Sequence, residues 1–402
     1  MPPHDIKQMI MTFDALAPLF EGSLDEGGVT LDDVFDAYFD CRRSKRNSIN
    51  QLRFEADLEG NLVKLYDDLK WGTYIIGRSS AFVVTHPKIR EVWAADFRDR
   101  VVHHVIYNAI SDRFGCRFIR DSYACIPGRG THDGLRRVSG FARSITRNYT
   151  RKAWVMKIDV SNFFNGIDRR ILLSLLKRHV HEPWLLYLIQ QVTLHDPRIG
   201  ASYRSSRYLF HRVPIHKSLR HAPDKIGLPI GNLTSQFFAN VYMNEVDQYA
   251  KHGLKARYYG RYVDDMIMMH DDPTVLKAWA EQIDCFLKDK LALRLHPNKT
   301  QLNLVHNGFD FVGFIIKPGR VYLRQTSLLR CYQKIRAWER AGRPIDEETL
   351  KDFSNTMTSY LAMLRHVNGY RVRTSLCRRV EGSSLLADLE CTRIKRTNGL
   401  SR

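Results

Sequence analysis

RYVDDMIMMH, Arg261 to His270, sets two adjacent carboxylates, Asp264 and Asp265, between two apolar, strand-like runs. Asp is depleted in strands, and neighbouring like charges repel. A surface turn accounts for the pair simply, and a metal site accounts for it more sharply. A third acid bears on the choice. Asp159 ends WVMKID (154–159), a run too apolar for a strand with one wet face and better suited to burial on both. Alone, Asp159 is more simply a cap for the following turn. If both strands share one sheet, the acids converge, and their repulsion calls for a hard dication such as Mg²⁺. Two such ions serve the attacking and leaving oxygens of a phosphoryl transfer.

The rest of the composition agrees with a polyanionic partner. Among 402 residues, Lys and Arg number 62 against 43 Asp and Glu, a net charge of +19 spread along the chain. Nucleic acid is the natural counterpart, with a merely solubilising charge as the alternative. Seven scattered cysteines without a CxxC argue against a disulfide framework or a zinc finger and for reduced thiols. The start has no basic segment followed by a long apolar one, so no signal peptide is expected. No run reaches the length of a membrane span.

A chain this long divides into subdomains. Residues 1–80 keep helical spacing. AFVVTHPKIREVWAA (81–95) has the pattern of a hairpin, and the helical spacing returns over 96–114. Residues 196–226 are basic and periodless with three prolines, too long for a plain loop. SQFFANVYMNEVDQYAKHG is expected to be an amphipathic helix ending at Gly253. NGFDFVGFIIKPGRVYL is expected to form two short strands, 326–370 helices, and 376–402 a partly polar tail. The mixed order over 81–316 favours α+β with an antiparallel sheet.

YVDD between apolar strands, with KIDVSNFF before it, resembles the palm of reverse transcriptases. GLPIGNLTSQFFANVYMNEVD resembles the segment that follows the first acid in that family, NKTQLNL (298–304) the lysine-bearing segment after the catalytic hairpin and FDFVGFII the primer-grip hairpin, and HPKIREVWAADFRDRVVHHVIYNAI and YACIPGRGTHDGL resemble the fingers motifs of its bacterial members. The resemblance covers about residues 80–375 in the family's order. It implies a right-hand polymerase: an N-terminal helical region (1–80), fingers and palm (81–318), a helical thumb (319–375) and a tail. Ile230 stands where most relatives have Gln, and Gln236 where they have Pro. That variant resembles the reverse transcriptases of diversity-generating retroelements and related antiphage-defence or unassigned groups.

The same resemblance implies the site. Asp159, Asp264 and Asp265 are the catalytic and metal-binding acids, with the Val160 carbonyl beside them and two Mg²⁺, or Mn²⁺ in their place. Lys88 and Arg90 on the fingers hairpin contact the triphosphate, Phe164 gates the sugar, Ile230 and Gly231 lie under the incoming nucleotide, and Lys299 faces the leaving pyrophosphate or caps a loop. Arg100 contacts template or nucleotide; Ser235, Gln236 and Arg129 lie on the nucleic-acid side. In the insertion, Arg204, Arg207, Arg212 and Lys217 interleave with Tyr203, Tyr208 and Phe210, a mixture suited to structured RNA, with a solvated lid as the alternative. His103 and His104 are expected to pack. The implied partners are a template or non-coding RNA, its cDNA and dNTPs, with an accessory protein or homo-oligomer left open, in a bacterial or phage-encoded cytoplasmic setting. A DNA-templated or untemplated terminal polymerase, and a catalytically dead RNA-binding protein of the same fold, are the competing readings.

Overall fold

The computed structural model describes residues 28–43, 48–343, 346–381, 385–388 and 390–396. Expectations for residues 1–27 lie outside them. The described residues form two compact units, each drawn from separate stretches of sequence: one takes those up to 120 with 159–254 and 281–297, the other 121–158, 255–280 and those from 298 onward. The strands in chain order are β1 (Ser80–Val84), β2 (Arg90–Ala94), β3 (Trp154–Asp159), β4 (Ser202–Tyr203), β5 (Tyr258–Tyr262), β6 (Asp265–His270), β7 (Gln301–Leu304), β8 (Phe309–Phe311), β9 (Phe314–Lys317), β10 (Arg320–Leu323), β11 (Leu385–Ala387) and β12 (Ile394–Arg396).

In the first unit, helix Leu31–Arg43 starts with Asp32 and Asp33 and closes with Arg42 and Arg43, as the helix dipole favours. Thr30 and Asp33 cap each other reciprocally, at 3.1 and 2.9 Å. Val34, Ala37, Tyr38 and Cys41 fall on one buried face. Glu55 accepts from Tyr38 at 2.6 Å and Arg42 at 2.7 Å, joining this helix to Ile49–Glu55. The unit's sheet has the order β2-β1-β4: β1 and β2 form the expected hairpin, and β4, from the insertion, adds parallel to β1. Helix Leu233–Gln248 is buried around most of its circumference, unlike the amphipathic helix its composition predicts. A wider turn, Tyr249–Gly253, ends it.

The second unit is built on a four-stranded sheet of order β5-β6-β3-β7. β3 is thus interior, and Val155, Met156 and Ile158 are buried as the unbroken apolar run predicts. β7 and β5 run antiparallel to β3 and β6 respectively. Helix Thr131–Ile145 contributes Leu135, Val138 and Phe141 to the core with Ile267 and Met269 of β6. FDFVGFIIKPGRVYL forms three strands, β8, β9 and β10, rather than two. Phe311 pairs with Phe314, so Val312 and Gly313, both at positive φ, make a tight turn inside an apolar run. Helices Gln325–Arg340, Glu347–Arg365 and Tyr370–Val380 follow, with Trp338 and Phe353 stacked 4.3 Å apart. The region expected as a tail contains the antiparallel pair β11–β12, held by buried Leu385 and Ile394 and by Ser354 Oγ donating to the Ile394 carbonyl at 2.8 Å.

Candidate active site

The acid pair lies at a hairpin tip. Tyr262 pairs with Asp265, leaving Val263 and Asp264 as a two-residue turn. Tight hairpin turns need positive φ, and here Val263 takes it at +58°. A β-branched residue is strained there, at a cost of roughly 1–3 kcal/mol, unless its surroundings hold it. Arg261 does so. Its guanidinium is fully buried, donating to the Val263 carbonyl at 2.7 Å and to Ser122 Oγ at 3.0 Å. Its backbone is tied to Asp121 and Tyr123, at 2.8 and 3.0 Å. Behind the tip, Met266 to Met269 are all buried, so the acids are presented on a rigid stem while themselves half-buried.

Asp265 has a cation beside it. Lys157 Nζ lies 3.3 Å from its carboxylate and 3.2 Å from that of Asp310 on β8. Arg324 pairs with Asp310 in turn. Lys157 sits two residues before Asp159 on β3, hence on the same side of the strand. Asp159 ends β3, whose sheet neighbour β6 begins at Asp265. Beyond it the chain turns: the Asp159 carbonyl accepts from His296 N at 2.7 Å and Ser161 N donates to the Arg294 carbonyl at 2.8 Å. Val160 is buried and bridges Leu295. No group of three or more His, Cys, Asp or Glu side chains among the described residues is arranged to hold a metal ion. The metal expectation therefore stands on the donor chemistry of the three acids, which is all hard oxygen.

The first unit gathers several other expected residues. The Phe164 carbonyl accepts from Leu228 N at 2.7 Å, and the Ile230 carbonyl accepts from Trp93 N on β2 at 2.7 Å. Residues 227–232 therefore strap the turn after Asp159 to the β1–β2 hairpin. Asn232 Oδ1 extends the strap by accepting from Ala95 N at 2.9 Å. Gly231 is obligatory: its φ is +128°, and a Cβ would come within 2.8 Å of Val92. Phe164 and Ile230 are half-buried, and Lys88, Arg90 and Gln236 are exposed. Arg100 donates to the Ala95 carbonyl at 2.9 Å and lines a cleft with His104, Gly231 and Gln236. In the second unit, Lys299 is exposed, and Arg129 donates to the Ser122 carbonyl at 3.1 Å.

Two expectations need correction. Ser235, expected on the nucleic-acid side, is 3% exposed, because its helix is packed on nearly all faces. Phe210, expected among the stacking aromatics of the insertion, is 4% exposed and packs with Val213, Leu219 and Trp93 against the β2-β1-β4 sheet. His103 is buried as expected, sharing a 2.6 Å hydrogen bond with Thr234. Burial first, then the nearby His104 and Arg100, pushes its pKa down to about 3.

Sequence reasoning missed Arg261, Lys157, Glu91 and Arg169. The signals were present: a basic residue next to the acid pair, a lysine in phase with Asp159, and an acid inside a buried strand. Glu91 is 3% exposed and accepts from Ser218 Oγ, Leu219 N and Trp93 Nε1 at 2.6, 3.0 and 3.2 Å.

The second unit thus carries an acid-tipped antiparallel hairpin in the same sheet as the interior strand β3. Residues 86–316, more than half of the chain, match the family model described as Reverse transcriptase (RNA-dependent DNA polymerase). The chain belongs to the reverse transcriptase family and has its α+β right-hand polymerase fold. It is similar to protein YkfC of Escherichia coli (strain K12), 24% identical over 301 residues that cover 66% of this chain and 74% of that protein. It is similar also to the group II intron-encoded protein LtrA of Lactococcus lactis subsp. cremoris, 21% identical over 48% of this chain but only 28% of LtrA. Among solved structures, apo telomerase from Candida tropicalis matches with 12% identity and a TM-score of 0.46, over 76% of this chain and 56% of that one.

Proposed function

We propose that this chain is an RNA-directed DNA polymerase that extends a primer 3′-OH with deoxynucleotides on an RNA template. The β5–β6 hairpin carries the proposal: a strained turn, locked by a buried arginine, presents Asp264 and Asp265 from a sheet whose neighbouring strand ends at Asp159. In the reaction the 3′-oxygen attacks the α-phosphorus, the bond to the β-phosphate oxygen breaks, and pyrophosphate leaves. Asp159 and Asp264, with Asp265 and the Val160 carbonyl, would hold two Mg²⁺, which when bound lower the 3′-OH pKa and offset charge on the transferring phosphoryl. Lys157 offsets the charge of Asp265 and holds it in place.

The remaining roles follow position. Lys88 and Arg90, exposed on the fingers hairpin, bind the triphosphate. Phe164 lies under the sugar and excludes a 2′-hydroxyl. The Ile230–Gly231 strap supports the nascent pair, Lys299 neutralises pyrophosphate, and Arg100, Gln236 and Arg129 face the nucleic acid. The three acids argue against a dead binding protein. The variant residues Ile230 and Gln236 support a role in retroelement-driven diversification or in antiphage defence. A variable repeat pair beside the gene would mark the first, and a structured RNA gene within a defence island the second.

The test is dNTP incorporation by purified protein on primed RNA, primed DNA and unprimed ends. Incorporation that depends on the RNA template is expected. Equal incorporation on DNA or without template would favour the terminal-polymerase reading instead.

A further inference from the structure

The insertion at 196–226 is built as a platform. Buried Arg169 clamps both of its ends, donating to the His195 carbonyl at 2.8 Å and to the Gly227 carbonyl at 2.6 Å. Arg198 closes the base by pairing with Asp196 and donating to the Ala222 carbonyl at 2.8 Å. The inner face is then fixed to the fingers hairpin three ways: β4 pairs with β1, Glu91 holds the turn at Ser218–Leu219, and Phe210, Val213 and Leu219 pack with Trp93. Each of those apolar side chains is almost wholly withdrawn from water. This is more anchoring than a solvated lid requires.

The outer face carries one sign of charge. No acid lies between Asp196 and Asp224. Arg204, Arg207, Arg212 and Lys217 are all exposed. Between them Tyr208 is 69% exposed, with the Arg212 guanidinium 5.9 Å from its ring centroid. An exposed ring backed by a guanidinium offers a face to an unstacked base, and flexible cations around it suit phosphates. A base inside a duplex is already stacked and cannot use that face.

We propose that the outer face of the insertion binds unpaired RNA, with a base stacked on Tyr208 and the flanking phosphates on Arg204, Arg207, Arg212 and Lys217. This deepens the polymerase reading, on which it rests for the identity of the RNA as the templating partner. Because the insertion is pinned at both ends, the platform is formed before RNA arrives, and binding orders little protein.

Fluorescence anisotropy with the full chain tests it, using a stem-loop RNA with an oligouridine loop against the same stem as a blunt duplex. Tyr208→Ala is expected to weaken loop binding about tenfold and leave duplex binding unchanged. Changing the four cations to Gln is expected to lower the slope of log affinity against log salt by about 3, from ~0.7 per lost phosphate contact. Arg212→Lys keeps that slope but narrows the loop-over-duplex preference, since lysine lacks the planar stacking group. Equal loss on both RNAs for Tyr208→Ala, an unchanged salt slope for the four-cation variant, or no loop binding by the wild type would each overturn the proposal. Binding needs no synthesis. Failure of the polymerase reading shows itself separately, as absent incorporation with the loop preference intact.

Discussion

Arg261 donates through Nη1 to the carbonyl oxygen of Val263 at 2.7 Å, so a fully buried guanidinium secures the strained residue that precedes the acid pair. Arg261→Met removes that bond and the one to Ser122 Oγ while keeping most of the volume. Losing hydrogen bonds from a buried charged group costs about 2–3 kcal/mol. Urea unfolding should show a loss of that size, with primer extension falling further than the folded fraction does. A variant as stable and as active as wild type would mean the turn holds itself.

Lys157 is the cation between Asp265 and Asp310, at 3.3 and 3.2 Å. In Lys157→Met the two acids lose their common partner. The maximal extension rate is expected to fall about tenfold, or ~1.4 kcal/mol in the barrier. Half-saturation should move to lower Mg²⁺, because a more negative site attracts cations more strongly. Lys157→Arg should restore part of the rate. Rates and Mg²⁺ midpoints that match wild type would remove Lys157 from the site.

His103 is held neutral, its pKa pushed down to about 3 by burial. The unfolded chain therefore takes up a proton near pH 6.5 that the folded chain refuses until about pH 3. Its stabilising effect is complete above pH 6.5 and is lost as the pH falls through this window, at up to about 1.4 kcal/mol per pH unit. Melting temperatures from pH 7 to 4 should fall less steeply for His103→Gln than for wild type. Parallel curves would show that other groups carry the acid sensitivity.

Ile230 is fixed by its backbone, through the bond from Trp93 N, and not by a polar side chain. Ile230→Gln should therefore leave the strap in place and change only the side chain proposed to face the nascent pair. Sequenced cDNA from an RNA template should show fewer misincorporations, most visibly opposite adenine. An unchanged error spectrum would detach fidelity from this position.

The interior strand β3 and the β5–β6 hairpin were legible because their signals are local and redundant. WVMKID announces an interior strand, and an acid pair between apolar runs leaves a hairpin tip as the economical arrangement. Alternation around a short turn likewise marks the β1–β2 hairpin. What stayed hidden depends on tertiary partners. Arg261 is indistinguishable in sequence from a solvated arginine; its burial follows from the loop at Asp121–Tyr123 that folds over it. The insertion has no periodicity, so nothing marked Phe210 as inward and Tyr208 as outward. Ser235 lies in a helix packed on nearly all sides, where composition could not separate its faces. The turn between β8 and β9 is concealed in FVGF, where a lone Gly313 is a weak break in an apolar run.

Metal-dependent, RNA-templated synthesis is proposed to rest on Asp264. Asp264→Ala, assayed for dNTP incorporation on a primed RNA template and for RNA binding by anisotropy, tests it most directly. The expected result is loss of incorporation to background with RNA affinity within about twofold of wild type, since the change removes one charge from a half-buried turn. Incorporation that survives in Asp264→Ala would contradict the assignment of this hairpin as the catalytic centre.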